Sequence, residues 1–104
     1  MSTHVDVTNN ADRRRYKAVL DQPGIAGFVD YQETGELVVL THTEVDRAHE
    51  GRGVGGALAR AALDDIRERQ LKTLVVCPFI LAWLGKHPEY RDLLFNAPPS
   101  RASD

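Results

Sequence analysis

The sequence contains a single cysteine, Cys77, among its 104 residues, and this scarcity limits what can hold the fold together. One thiol cannot form an internal disulfide, and it leaves too few thiolates for a typical structural zinc site. No apolar run approaches the roughly 20 residues that a membrane helix needs. The first ten residues are too polar for a signal peptide. These absences predict a cytoplasmic protein in a reducing compartment.

An excess of charge of one sign is also missing. The chain has 13 basic and 15 acidic residues, and both signs are scattered apart from the triplet Arg13-Arg14-Arg15, which we interpret as a solvated strand edge. This balance argues against a nucleic acid or an anionic membrane as partner. It carries no signal about oligomeric state.

What the chain does have is the composition of one globular domain, since 42% of its residues are hydrophobic and 27% are charged. The polar ends predict a poorly ordered N-terminal segment at residues 1–12 and a flexible tail at residues 96–104. We therefore place the folded domain at residues 13–95.

The first half of that domain has the alternation of an antiparallel meander. Three strands are predicted, at residues 15–20, 25–31 and 36–45, separated by turn residues. In the third strand the run from Leu37 to Leu40 is apolar on both faces. Such a strand is typically central in its sheet, so we expect it to be covered on both sides.

The second half changes to helical periodicity. A helix is predicted at residues 55–69, a buried strand at residues 73–77, a second helix at residues 79–86, and a short closing segment through Leu94. Because the links are short, the strand after the first helix should run parallel to the strand before it. The sequence thus predicts an α+β fold, a mixed sheet of about four strands with two or three helices.

The link between the third strand and the first helix carries the strongest functional signal. It holds four glycines in six residues, in the segment Glu50-Gly51-Arg52-Gly53-Val54-Gly55-Gly56. Glycines let successive N–H groups converge on an anion, and the helix N-terminus adds partial positive charge. No Ser, Thr, Asp or Asn is placed to cap the helix, so its first donors are available to a ligand. The alternative is a flexible turn that allows close helix packing.

Two other phosphate-binding motifs fit less well. Gly51, Gly53 and Gly56 satisfy G-x-G-x-x-G, but a meander precedes them, and the following strand ends at Cys77 and not at an acidic residue. A nicotinamide nucleotide is therefore a weak alternative ligand. A P-loop is excluded because its lysine-containing motif does not occur.

Residues 50–55 resemble the acyl-CoA loop of the GNAT acetyltransferases, Gln/Arg-x-x-Gly-x-Gly/Ala, with Gly53 and Gly55 at the two small positions. The segments His42-Thr43-Glu44-Val45, Cys77-Pro78-Phe79 and His87-Pro88-Glu89-Tyr90 are similar to a subgroup of very short GNAT-like proteins. The resemblance covers residues 15–95. It implies acetyl-CoA as cofactor, with pyrophosphate on the amides of residues 51–56 and pantetheine beside the strand that ends at Val45.

The chain departs from the GNAT pattern in two ways. Glu50 stands where most of these enzymes have Gln or Arg, and the helices and strands that usually build the acceptor pocket are missing. The implied activity is N-acetyl transfer to an amine, which leaves a polyamine, another small amine, a peptide or a protein lysine open as acceptor. An acyl-CoA-binding module without efficient transfer is the alternative.

Transfer of acetyl to an amine needs a base, and His42 and Glu44 are the candidates because residues two apart on a strand share a face. The alternative is that neither residue is catalytic: His42 would be an interior histidine with its hydrogen bonds satisfied, and Glu44 a charged residue at the end of the strand.

Three further expectations concern other side chains. Cys77 precedes a helix N-terminus, which favours a thiolate and allows an acetyl-cysteine intermediate; a small buried hydrophobe is the alternative. Tyr90 resembles the general acid of some GNAT enzymes, or else packs on the sheet. The other histidines have no ligand spacing with Cys77, so no metal site is expected.

Overall fold

A computed structural model of the chain describes residues 5–19, 24–49 and 53–95. Its five strands are β1 (Asp6–Asn10), β2 (Arg15–Val19), β3 (Gly27–Thr34), β4 (Leu37–Val45) and β5 (Lys72–Val75). They lie in the sheet in the order β1-β2-β3-β4-β5, with antiparallel pairs up to β4 and a parallel β4–β5 pair. The predicted α+β mixed sheet and its parallel crossover are confirmed, with five strands in place of about four.

The helices complete this arrangement. Helix α1 (Val54–Glu68) connects β4 to β5, and helix α2 (Pro78–Gly85) follows β5 with Pro78 in its first turn. Short 3-10 helices cover Ala11–Arg13, Arg47–His49 and Pro88–Leu93. Within the described ranges, no helix is long and apolar enough to cross a membrane.

Strand β1 contradicts the expectation of a poorly ordered segment across residues 1–12. Asp6 pairs with Val19 and Asn10 with Arg15 in an antiparallel ladder. Polar residues can form this strand because it is an edge strand and none of its side chains is fully buried. The buried Tyr31 also donates its hydroxyl proton to Asn9 Oδ1 at 2.8 Å, which ties the strand to the sheet.

The core lies between the sheet and one side of α1. The apolar spacing of α1 buries Leu58, Ala62 and Ile66 completely, as the helical periodicity predicts. The sheet contributes Tyr16, whose hydroxyl donates to Asp65 Oδ2 of the helix at 2.7 Å. This bond satisfies the polar end of a side chain that is otherwise in the core.

Strand β4 is covered on one face only, which corrects the expectation of two covered faces. Val38 and Leu40 are fully buried, whereas Leu37 and Val39, on the other face, are partly exposed. Both helices pack on the first face, because α2 rests on α1. No helix in the described part of the chain covers the second face, which we call the open face.

The strands β4 and β5 separate at the end that carries the glycine loop. Their parallel ladder ends with Leu40 opposite Val75, although β4 continues to Val45. The N–H groups of Val76 and Cys77 both bond to Leu40 O, at 2.9 and 3.1 Å. On the other side, the register with β3 skips Thr41, which is a β-bulge. We call the opening between residues 41–45 and 76–77 the strand fork.

Candidate functional site

Helix α1 begins with backbone donors that no side chain of the described residues caps. Gly53 precedes the helix with φ of 79°, a left-handed conformation that favours glycine, and no side chain caps the helix. The first intrahelical bond runs from Ala57 N–H to Gly53 O at 2.9 Å, so the N–H groups of Val54, Gly55 and Gly56 come before it. This is the donor arrangement predicted for an anion site.

The predicted loop also includes three residues before Gly53. Glu50, Gly51 and Arg52 lie outside the described residues. The predicted roles of these residues therefore stay predictions.

Helix α2 closes one side of the α1 N-terminus through Phe79. A Cβ placed on Gly55 would lie only 2.6 Å from Phe79 Cζ, so the aromatic ring rests directly on the glycine backbone. The Phe79 side chain is nevertheless 41% exposed. Gly55 therefore permits a close helix–helix contact in addition to any contact with a ligand.

Cys77 lies at the strand fork and is buried. Its side chain is 2% exposed, and Sγ donates a hydrogen bond to Thr43 Oγ1 at 3.1 Å. Thr43 pairs with Val29, which belongs to the covered face of the sheet. The thiol thus lies between the two separating strands, beside the N-terminus of α2.

His42 and Glu44 are brought together, as their spacing predicts. His42 Nε2 lies 3.2 Å from Glu44 Oε1, and both side chains are largely exposed, at 58% and 64%. Phe28 pairs with Glu44 across the strands, and its ring centroid is 6.0 Å from that of His42. These groups occupy the open face near the strand fork, so they reach solvent freely.

Tyr90 is held in a different place. Its hydroxyl donates to Asp64 Oδ1 in the middle of α1 at 2.6 Å and accepts a bond from Arg60 Nη1 at 3.3 Å. Its ring contacts Trp83 at 5.5 Å. Burial, followed by the Asp64 carboxylate, raises the pKa of Tyr90 above its ordinary value. Asp64 is ten residues into α1, about 15 Å along the helix axis from Val54. This arrangement favours packing, but the contacts of Tyr90 within the described residues are with α1 and α2, and not with the sheet as expected from the sequence.

A shallow hollow of about 500 Å³ adjoins Glu44 on the open face. Residues from β2, β3, β4 and the segments beside them line it: Arg15, Ile25, Gly27, Phe28, Glu44, Val45, Asp46 and Arg47. It has the size of a small-molecule site. In the described part of the chain, no three His, Cys, Asp or Glu residues are grouped to hold a metal.

The wall of this hollow contains contacts that the sequence did not predict. Arg15, interpreted above as part of a solvated edge, donates from Nε to Asp30 Oδ1 at 2.6 Å and lies 3.9 Å from the Phe28 ring centroid. The alternation of β2 contained the signal, because Arg15 must face away from the buried Tyr16. The pairing with Asp30 depends on strand register, which the sequence does not reveal.

Comparison with known proteins gives concordant results. The family model described as GCN5-related N-acetyl-transferase matches residues 15–93. Protein NATD1 of Danio rerio is 30% identical over 99 residues, which cover 92% of this chain and 90% of that protein. Protein NATD1 of Homo sapiens is 33% identical over 85 residues, covering 81% of this chain and 75% of the relative.

Two solved structures share the fold. A GCN5-like protein from Staphylococcus aureus, determined by NMR in solution, superimposes with a TM-score of 0.69 at 21% identity, over 95% of this chain and 96% of that chain. Nourseothricin acetyltransferase superimposes with a TM-score of 0.53 at 22% identity, over 86% of this chain and 68% of that chain. At these identities the likeness establishes the architecture alone.

Proposed function

Because the chain belongs to the GCN5-related N-acetyltransferase family, we propose that it binds acetyl-CoA and transfers the acetyl group to an amine. The observation that carries the proposal is the uncapped start of α1, where three backbone donors directly follow the left-handed Gly53. An anion at this position would complete the hydrogen bonds that no side chain supplies. The pyrophosphate of acetyl-CoA has the required charge.

The strand fork supports the same ligand. Beyond Leu40 the described residues show no backbone hydrogen bond between the two strands, and the Cys77–Thr43 side-chain bond crosses the fork. The edge of residues 41–45 that faces away from β3 is therefore available to an extended chain such as pantetheine. The N-terminus of α2 adjoins the fork at Cys77, and Phe79 of α2 contacts Gly55 in the first turn of α1. The donors of Val54, Gly55 and Gly56 would hold the phosphates, and Val45 would adjoin the pantetheine.

The chemistry requires that an ammonium lose its proton before it can react. Acetyl-CoA, when bound, supplies a thioester carbonyl carbon that the amine nitrogen attacks while the CoA thiol leaves. Glu44 and His42 share a hydrogen bond and face solvent, so either Glu44 Oε1 or His42 Nε2 can accept the proton directly or through water. We propose this pair as the general base.

Cys77 is not required in this mechanism. Its thiol is buried and donates its hydrogen bond to Thr43, which supports the interpretation as a small hydrophobe lining the fork. We therefore propose direct attack by the amine and not an acetyl-cysteine intermediate. The Cys77→Ala variant separates the two, because only the covalent route needs the sulfur atom.

Cofactor binding is tested by thermal melts with acetyl-CoA, CoA and NAD. A ligand at 100 times its dissociation constant adds about 2.7 kcal/mol to the free energy of unfolding. For a domain of this size the expected rise in Tm is about 10 °C or more. We expect it with both CoA species and not with NAD. No rise with either CoA species would refute the proposed function.

Catalysis is tested separately, by measuring release of the CoA thiol in the presence of amines. We expect Glu44→Gln combined with His42→Ala to lower kcat at least about 100-fold, the usual contribution of a general base, while the acetyl-CoA melt shift persists. Glu36→Gln, an exposed carboxylate at the other end of β4, is the matched control. Equal slow turnover in all variants would instead favour a CoA-binding module without efficient transfer.

A further inference from the structure

Building on the proposed function, we propose that the acceptor is a zwitterion, an amine that also carries a carboxylate, as a free α-amino acid does. The hollow on the open face would bind it between Glu44 and Arg47. The inference follows from how each charged group around the hollow is engaged within the described residues.

The walls of the hollow are apolar or already neutralised. Two apolar side chains, Ile25 and Phe28, line the hollow, and Ile25 is 45% exposed. The Arg15 guanidinium is paired with both carboxylate oxygens of Asp30, at 2.6 and 3.3 Å, and covers the Phe28 ring. Arg15 therefore forms part of the wall of the hollow, and its charge is not available to a ligand.

Of the two carboxylates around the hollow, Asp46 is already engaged. Its Oδ1 accepts the N–H of Ala48 at 3.1 Å, which holds the turn after β4. Glu44, in contrast, points to solvent and contacts only the exposed His42 ring among the hydrogen-bond partners in the described ranges. Glu44 is thus the carboxylate that an ammonium group can reach.

Arg47 supplies the opposite charge. It lies three residues after Glu44, on the 3-10 helix Arg47–His49, and its side chain is exposed. Within the part of the chain that the structure describes, it makes no hydrogen bond or ion pair. A guanidinium in this state can form a bidentate pair with a carboxylate.

Glu44 and Arg47 are exposed groups of opposite sign at the hollow, and together they match a ligand with one charge of each sign. A polyamine would bring a second ammonium close to Arg47 and be repelled, while a protein lysine offers no anion beside its amine. The apolar wall of Ile25 and Phe28 further favours an apolar side chain on the acceptor. L-phenylalanine is a suitable probe.

The test is binding, measured by NMR titration of the ¹⁵N-labelled chain with L-phenylalanine, L-phenylalaninamide and spermidine, at a pH where the amines are protonated. We expect the amide signals of residues 44–47 to shift, with affinity for phenylalanine about tenfold above that for its amide. That ratio is the size expected for one charge-assisted hydrogen bond. Arg47→Gln should abolish the preference, and Arg91→Gln, an exposed arginine on the last 3-10 helix, should preserve it.

Four results would overturn the proposal: no shift at residues 44–47 with any probe, equal affinity for phenylalanine and its amide, tighter binding of spermidine, or equal weakening of both phenylalanine ligands by Arg47→Gln. The acetyl-CoA melt is independent of this titration. A melt shift without amino acid binding would refute the zwitterionic acceptor and leave the proposed function intact. Amino acid binding without a melt shift would refute the proposed function, and the hollow would then be an amino acid site but not an acceptor site.

Discussion

The contact between Gly55 and Phe79 allows a prediction whose sign can be worked out from the structure. In Gly55→Ala the added methyl would lie 2.6 Å from Phe79 Cζ and 3.2 Å from Cε2, distances that force the ring to move. Overpacking of this kind destabilises a protein by about 1–3 kcal/mol. Alanine in place of glycine in a helix recovers about 1 kcal/mol.

The net effect should therefore be a decrease in the free energy of unfolding. This decrease should be small because the Phe79 ring is partly exposed and can rotate outwards. We expect Gly55→Ala to lower the free energy of unfolding by about 1 kcal/mol, the difference between the two terms. The corresponding fall in Tm is about 4–8 °C for a domain of this size. Urea and thermal unfolding, followed by circular dichroism, measure both quantities.

The stability change caused by Gly55→Ala should reverse its sign when the Phe79 ring is removed. In a Phe79→Ala background the three ring atoms nearest to the new methyl are removed, so Gly55→Ala should stabilise the chain by about 0.5–1 kcal/mol. The double-mutant cycle would then give a coupling energy of about 1–3 kcal/mol. Gly56→Ala is the matched control, because its Cβ would meet Trp83 Nε1 at an ordinary 3.5 Å.

The reasoning fails if Gly55→Ala raises Tm as much as Gly56→Ala does in the chain that retains Phe79. It also fails if the effect of Gly55→Ala is the same with and without the Phe79 ring. Either result would mean that α2 does not rest on the start of α1. Gly55 would then be explained by the glycine loop alone.

Two further predictions concern buried hydroxyl groups. Because the pKa of Tyr90 is raised, its contribution to stability is complete below the ordinary tyrosine pKa of about 10 and is lost as pH rises through the folded value. The Tm of Tyr90→Phe should therefore depend less on alkaline pH than the Tm of the unmodified chain. An unchanged pH dependence in melts from pH 8 to 11 would contradict this prediction. Thr73→Val removes the hydrogen bond from the buried Thr73 Oγ1 to Val38 O at 2.8 Å and should destabilise the chain by about 1–2 kcal/mol. Thr73→Ser should retain most of that bond. Equal urea midpoints for the two variants would disprove the role of the hydroxyl.

Most of the second half of the fold could be predicted from local pattern. The apolar period of residues 55–69 and the β-rich run at residues 73–77 correspond to α1 and β5 within two residues at each end, because each signal is contained in a short stretch of chain. The strands of the meander were placed with similar accuracy, except that the second begins two residues later and ends at Thr34. Strand β1 escaped prediction because pairing with β2, and not apolar content, makes it a strand.

In the candidate site, too, some features follow from local sequence pattern and others depend on tertiary contacts. The sequence by itself determined the α+β fold, the uncapped glycine-rich start of α1 and the shared face of His42 and Glu44, because each of these depends on residue types at fixed local spacing. Tertiary structure alone decided that Tyr90 pairs with Asp64, that Phe79 rests on Gly55, and that one face of β4 stays open. The physical reason is that such contacts depend on strand register and helix packing, which join residues far apart in the chain and leave no periodic mark in its sequence.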